Sequence, residues 1–293
     1  MRLAYLGSPA AAVPPLQALL AGGHEVKVVV TQPDRRRGRG GALVPTPVKA
    51  AALEAGIPVT ERVDDVLDAG VDLGVVVAFG RLIKPHVLDQ VPMVNLHFSL
   101  LPRWRGAAPV ERAILAGDTE TGVCLMALEE GLDTGPVYRR EAVAIGADET
   151  AEELRHRLVR VGTAMLVEVL GDGLGHPEPQ QGEATYAVKI DAEELHLDWQ
   201  RPAVELHRLV RVGRAWTTFR GRRLGVLRAR LPDYSELSPA AARVPGVIVG
   251  PTVGAGDGRV LELVEVQPEG KPPMPAAAWH NGTRPRPGER LGP

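Results

Sequence analysis

Asn95, Leu96 and His97 close an apolar run, and Ser99 to Pro109 follow at once as SLLPRWRGAAP. An amide and an imidazole two residues apart project from one face of a strand, so both can meet a single oxygen atom. Further on, GLDTGPV (Gly131 to Val137) offers the carboxylate of Asp133 between glycines. Amide, imidazole and carboxylate are the parts needed to pass an acyl group to an amine. That reaction runs through a tetrahedral intermediate with a developing oxyanion. Asn95 and His97 would stabilise it, and loss of one such donor typically costs about 100–1,000-fold in rate. Asp133 would orient and charge-stabilise the His97 imidazole, or relay through water the proton lost by the amine. Taken singly, His97 reads first as a hydrogen-bonded rim histidine and Asp133 as a turn former. Held in one crevice, the set reads as catalytic.

The first 145 residues carry elements able to gather these groups. LAYL (Leu3 to Leu6) stops at Gly7, Ser8 and Pro9, before a helix through Leu20. VKVVV (Val26 to Val30) stops at TQPD, before a helix from Pro47 to Ala55. LGVVVAF (Leu73 to Phe79) stops at Gly80, and PMVNLHF (Pro92 to Phe98) at the loop already described. Continuous β-branched runs separated by helices predict an α/β fold with a Rossmann-like, doubly wound, mostly parallel sheet. Ligands bind such sheets at the carboxyl ends of strands, which places Gly7, Gly80, Asn95 and His97 on one rim. The first turn, GSPAAA, lacks G-x-G-x-x-G, which argues against a nicotinamide or flavin enzyme.

Two further strands, 121–128 and 136–145, should flank the Asp133 loop. A long helix should run from Thr150, a capping residue with Glu153 three positions on, to Leu170. Gly171 to Thr185 is rich in Gly and Pro and reads as a linker. The expected domains are 1–184, carrying the crevice; 185–202, a crossover; and 203–293, a smaller, basic, OB-like β-barrel with one helix (Pro202 to Val212) and about five short strands.

Composition narrows the function classes. With 44% hydrophobic and 24% charged residues the chain is globular, and with 4% aromatics its core must rest on Val, Leu, Ile and Ala. One cysteine, Cys124, excludes an intrachain disulfide and a thiolate metal cluster, and reads as a buried structural thiol. The N-terminus runs straight into a strand pattern, and no apolar stretch reaches the ~20 residues of a membrane span, so a cytoplasmic protein is expected. Residues 201–293 hold 15 Lys and Arg against 8 Asp and Glu, while residues 1–200 hold 19 against 28. A basic C-terminal portion on an acidic body points to a polyanionic partner or to a merely solvated surface. The loop DRRRGRGG (Asp34 to Gly41) presents Arg35, Arg36, Arg37 and Arg39 among glycines. It reads as too polar and flexible to pack: either a solvated loop or a segment that orders on a phosphate backbone.

NLHFSLLPRWRGAAP, with ETGVCLMALEEGLDTGPV behind it, resembles the formyl-folate-binding signature of the formyltransferases. SLLPRWRGAAP is most similar to those members that act on methionyl-tRNA. The resemblance extends to Gly7–Pro9, to TQPDRRRGRG, to VVVAFGRLIKP (Val75 to Pro85), and to TYAVKI with LDW at the crossover. It implies formyl transfer from 10-formyltetrahydrofolate to the amino group of methionyl initiator tRNA, with no metal, by a monomer. It places the family's catalytic trio on Asn95, His97 and Asp133. Its folate contacts fall on Ser99, Leu100, Leu101 and Pro102, its pterin pocket beside Gly80, Arg81, Leu82 and Ile83, and its acceptor-stem arginine on Arg39. The chain departs from the pattern at Phe98, usually small, and at Ala11, near which an aromatic is usual. Gly41 and Ala42 stand where lysines often follow. Two other readings remain: a formyltransferase for a small amine such as an amino sugar, and an inactive tRNA- or folate-binding homologue.

Overall fold

The computed structural model describes residues 1–37, 41–232 and 244–292. The chain forms two compact units. One holds Met1–Val110, Glu120–Ala144 and Arg155–Val188; the other holds Glu111–Thr119, Ile145–Leu154 and Lys189–Pro293.

Up to Ala187 the elements run in chain order β1 (Arg2–Gly7), α1 (Val13–Ala21), β2 (Glu25–Val30), β3 (Arg35–Arg37), β4 (Ala42–Val44), α2 (Pro47–Glu54), β5 (Val59–Thr60), β6 (Leu73–Val77), α3 (Pro85–Leu88), β7 (Met93–His97), β8 (Arg105–Gly106), α4 (Pro109–Ala116), β9 (Glu120–Ala127), β10 (Val137–Ala144), α5 (Ala151–Asp172) and β11 (Tyr186–Ala187). Seven strands form the central sheet in the order β10-β9-β7-β6-β1-β2-β5. From β5 to β7 all pairs are parallel; β9 runs antiparallel to both its neighbours. All five residues of β6 are buried, as are all of β1 after Arg2. A strand covered on both faces has no solvated side to fill with polar residues, which is why these segments read as unbroken apolar runs. After β1 the chain places β2 on one side and β6 on the other. That reversal opens a crevice at the carboxyl ends of the strands, where Asn95 and His97 finish β7.

Helix α5 closes on the sheet through Gly162, where a Cβ would lie 2.9 Å from Val123 Cγ1 and 3.0 Å from Leu96 Cδ2. Its start carries the predicted capping box: the Glu153 amide donates to Thr150 Oγ1 (3.2 Å), and the Thr150 amide donates to Glu153 Oε2 (2.8 Å). Cys124 is fully buried beside Leu101, Met126 and Val137, and burial pushes its thiol pKa up. A thiol so placed is a packing group.

Two expectations are corrected. Arg35–Arg37 is not an unstructured loop but a strand, β3, paired antiparallel with β4. Backbone pairing there leaves Arg35 and Arg36 exposed, so their polarity does not oppose it. The Gly171–Thr185 stretch is not a free connector. Its Glu178 exchanges both backbone hydrogen bonds with Val137, the Thr185 carbonyl accepts from the Arg105 amide, and β11 pairs with β8. Backbone bonds to these loops stand in for the apolar pattern that the stretch lacks.

The second unit contributes α6 (Ala203–Val212), β12 (Trp216–Phe219), β13 (Arg222–Arg230), β14 (Ile248–Val249), β15 (Thr252–Gly254), β16 (Val260–Pro268), β17 (Met274–Pro275) and α7 (Ala276–Thr283). Its strands form one antiparallel sheet in the order β12-β13-β16-β15-β14, with β17 on β16. The predicted helix and short strands are present; α7 was not predicted. Three alanines between prolines and a Gly carried little periodicity, yet Ala276 and Trp279 are buried, Trp279 edge-on to Phe219 at 5.2 Å. Among the described residues no helix is long and apolar enough to cross a membrane.

Candidate active site

A cavity of about 460 Å³ lies at the carboxyl ends of β6 and β7, within the first unit. Asn95 and His97, on alternate positions of β7, both line it, as do Gly80, Arg81, Leu82 and Ile83 of the segment after β6. Asp133 arrives from the β9–β10 loop. The rest of the wall is largely apolar, with Val76, Phe79, Phe98 and Leu128 among its residues. Leu82 and Leu132 stand at the cavity yet are 73% and 54% exposed, so they offer apolar lips to an entering molecule. Phe98, the departure noted in the sequence, is 8% exposed and belongs to this wall; Ala11 does not line it.

His97 is held by one ring nitrogen and faces a carboxylate with the other. Nε2 lies 2.9 Å from the Trp104 carbonyl oxygen, which can only accept, so Nε2 carries the hydrogen. That leaves Nδ1 facing Asp133 Oδ2, 3.6 Å away. Asp133 Oδ2 accepts from the Gly106 amide at 2.7 Å, and its backbone sits at φ 50°, in the left-handed region. A non-glycine residue there stores strain, which the surroundings must hold in place. The loop also passes so close to β9 that a Cβ at Gly135 would overlap the Ala127 carbonyl oxygen.

Ser99, Leu100, Leu101 and Pro102 are not brought to the cavity surface. Ser99 is fully buried and its hydroxyl donates to the Arg103 carbonyl at 2.6 Å; Leu101 packs into the core with Cys124, Met126 and Val137. Ser99 and Leu100 bond instead to Arg103, and the Pro102 carbonyl accepts from the Thr185 amide at 3.3 Å. Arg35 and Arg36 lie outside the cavity wall, and Arg39 lies outside the described residues. Sequence reasoning missed Gln180, whose amide donates to the carbonyls of Asp133 and Gly135, each at 2.8 Å. It also missed Thr185, whose hydroxyl accepts from the Trp104 amide at 2.9 Å. The only signal was an amide and a hydroxyl in a stretch dominated by Gly and Pro.

A mostly parallel sheet that sets an amide, an imidazole and a carboxylate around one cavity is the framework of an acyl-group transferase. Its first 170 residues match the formyl transferase family, and residues 189–284 match the formyl transferase C-terminal domain. The chain belongs to the formyl transferase family. The methionyl-tRNA formyltransferase of Dinoroseobacter shibae is 46% identical over 294 residues, covering 94% of this chain and 96% of that protein. The methionyl-tRNA formyltransferase of Heliobacterium modesticaldum is 42% identical over 316 residues, with both chains covered in full. The solved N-formyltransferase of Helicobacter canadensis, in complex with folinic acid and dTDP-3-aminofucose, has the same fold at a TM-score of 0.69 and 16% identity, covering 89% of this chain and 98% of that one.

Proposed function

We propose that the protein transfers the formyl group of 10-formyltetrahydrofolate to the α-amino group of methionyl initiator tRNA. The observation that carries this reading is the convergence of Asn95, His97 and Asp133 on one cavity. Methionyl-tRNA formyltransferases similar to it over nearly their whole length supply the substrate. The amine nitrogen attacks the formyl carbon, and a C–N bond forms as the carbonyl π electrons move to oxygen. Asn95 donates to that oxyanion; His97, expected from the sequence to donate there too, spends its Nε2 hydrogen on the Trp104 carbonyl instead. His97 Nδ1 takes the amine proton, directly or through water, and the resulting cation is stabilised by Asp133. Collapse of the intermediate breaks the bond to the folate nitrogen, which takes that proton back from His97, directly or through water, and leaves as tetrahydrofolate.

The folate lies against Gly80, Arg81, Leu82 and Ile83 in this reading, with Ser99 to Pro102 acting only through the residues they hold behind the cavity. The two leucine lips and Phe98 receive the apolar parts of the substrates. The tRNA is held by Arg35, Arg36, Arg37 and Arg39 and by the basic residues 203–293, in a cytoplasmic monomer that needs no metal. The test is formyl transfer from 10-formyltetrahydrofolate to Met-tRNA, with uncharged tRNA, free methionine and an amino sugar nucleotide as controls. Turnover on the amino sugar and none on Met-tRNA would overturn the acceptor. No turnover on any amine in a single-turnover assay would leave the inactive homologue.

A further inference from the structure

Asp133 faces His97 from a left-handed position in a short loop, and Gln180 is hydrogen-bonded to that loop. Its Nε2 donates to the Asp133 and Gly135 carbonyls, each at 2.8 Å, one on either side of Thr134. Its Oε1 accepts from Arg105 Nε at 3.1 Å and Arg105 Nη2 at 2.7 Å. Two guanidinium donors on one side and two carbonyl acceptors on the other leave a single orientation for the amide. Arg105 stands next to Gly106, whose amide holds the Asp133 carboxylate at 2.7 Å. The Asp133 backbone and its side chain are therefore tied to the same short strand, β8. Resting on the catalytic reading above, we propose that Gln180 is a positioning residue that sets the Asp133 carboxylate against His97 without touching either substrate.

The requirement is for a donor at that place, not merely for a side chain. Gln180→Glu keeps the shape but turns an oxygen toward two carbonyl oxygens, which drives the loop away. Gln180→Ala removes the tie. Displacing a catalytic group by about 1 Å costs on the order of 100-fold in rate, so both variants should lose roughly 10- to 100-fold in kcat. Their KM for Met-tRNA and for the folate should stay within about threefold, because binding surfaces are untouched. In an Asp133→Asn background, Gln180→Glu should lower kcat no further, since the group it positions is already disabled. Thermal unfolding checks that each variant is folded; if Gln180→Ala is not, the isosteric Gln180→Glu alone decides. Wild-type kcat in Gln180→Glu, or a full additive loss in the double variant, overturns the proposal while leaving the catalytic trio intact. An unaltered kcat in Asp133→Asn alone would remove the catalytic reading, and the proposal with it.

Discussion

A histidine ring serves as a base only when one nitrogen is committed elsewhere and the other is free to accept. At His97 the Trp104 carbonyl makes that division, and Asp133 waits at 3.6 Å for the charge that follows. His97→Ala should lower kcat by about 100–10,000-fold, the usual worth of a positioned base, with KM for Met-tRNA changed by less than about threefold. Steady-state kinetics on both substrates would expose the opposite pattern, a KM defect at full kcat, as a binding role. Gly135→Ala should act on the same centre by geometry alone. The added methyl overlaps the Ala127 carbonyl, so the loop must lift and carry Asp133 with it. We expect at least about a tenfold fall in kcat from the displaced carboxylate; a variant at full activity would show the loop yields without moving Asp133. Asn95, His97 and Asp133 stood out as candidates in the sequence because their types are chemically conspicuous, and the fold brings them to one cavity. Gln180 and Thr185 did not stand out, because an amide or hydroxyl that bonds to backbone looks like any surface residue until its partners are known.

Elements carry their own predictions. Helix α6 buries His207 at 3% exposure, with Nε2 lacking a hydrogen-bond partner although Asp148 Oδ1 lies 3.2 Å away. Burial lowers its pKa below the ordinary 6.5; Asp148 opposes that shift, and Arg211 and Arg208 reinforce it. Between the lowered folded value and 6.5 the unfolded chain binds more protons than the folded one, so stability rises with pH across that window and is lost on acidification. The melting temperature should therefore fall as pH drops below 6.5, and His207→Gln should flatten that slope. An identical slope in the variant would assign the acid sensitivity to other groups. The same scale shows where pattern reading ran out. Apolar runs declared β1, β2, β6 and β7, and a capping box declared α5, because burial on both faces and helix ends each leave a sequence mark. The β3–β4 ribbon and the β8–β11 pair left none, since their order comes from backbone pairing with little apolar burial.

At the scale of the molecule, the proposal divides labour between an acidic body with the cavity and a basic C-terminal portion, 15 Lys and Arg against 8 Asp and Glu. Binding of tRNA through phosphates releases counterions and weakens with salt. With six to ten phosphate contacts, affinity should fall about 1,000- to 100,000-fold between roughly 50 and 200 mM salt. Arg39→Ala should flatten that slope by about one contact and raise KM for Met-tRNA while kcat at saturation holds. A salt-independent affinity in filter binding would count against a polyanionic acceptor. Several arginines of the second unit are already paired, Arg220 with Glu289 at 2.6 Å and Arg230 with Glu262 at 2.7 Å. Net charge alone therefore overstates what is available to phosphate.

The sequence by itself determined the sheet, the rim and the chemical identity of the three groups on it, because apolar runs and reactive side chains are local facts. Tertiary structure decided which of them meet. It turned SLLP inward as support for a loop, made Phe98 part of the cavity wall, and fastened the apparent linker to the Asp133 loop through Gln180. The last of these rests on hydrogen bonds between residues 45 and 47 positions apart, and no local pattern encodes the partner of a lone amide or carbonyl.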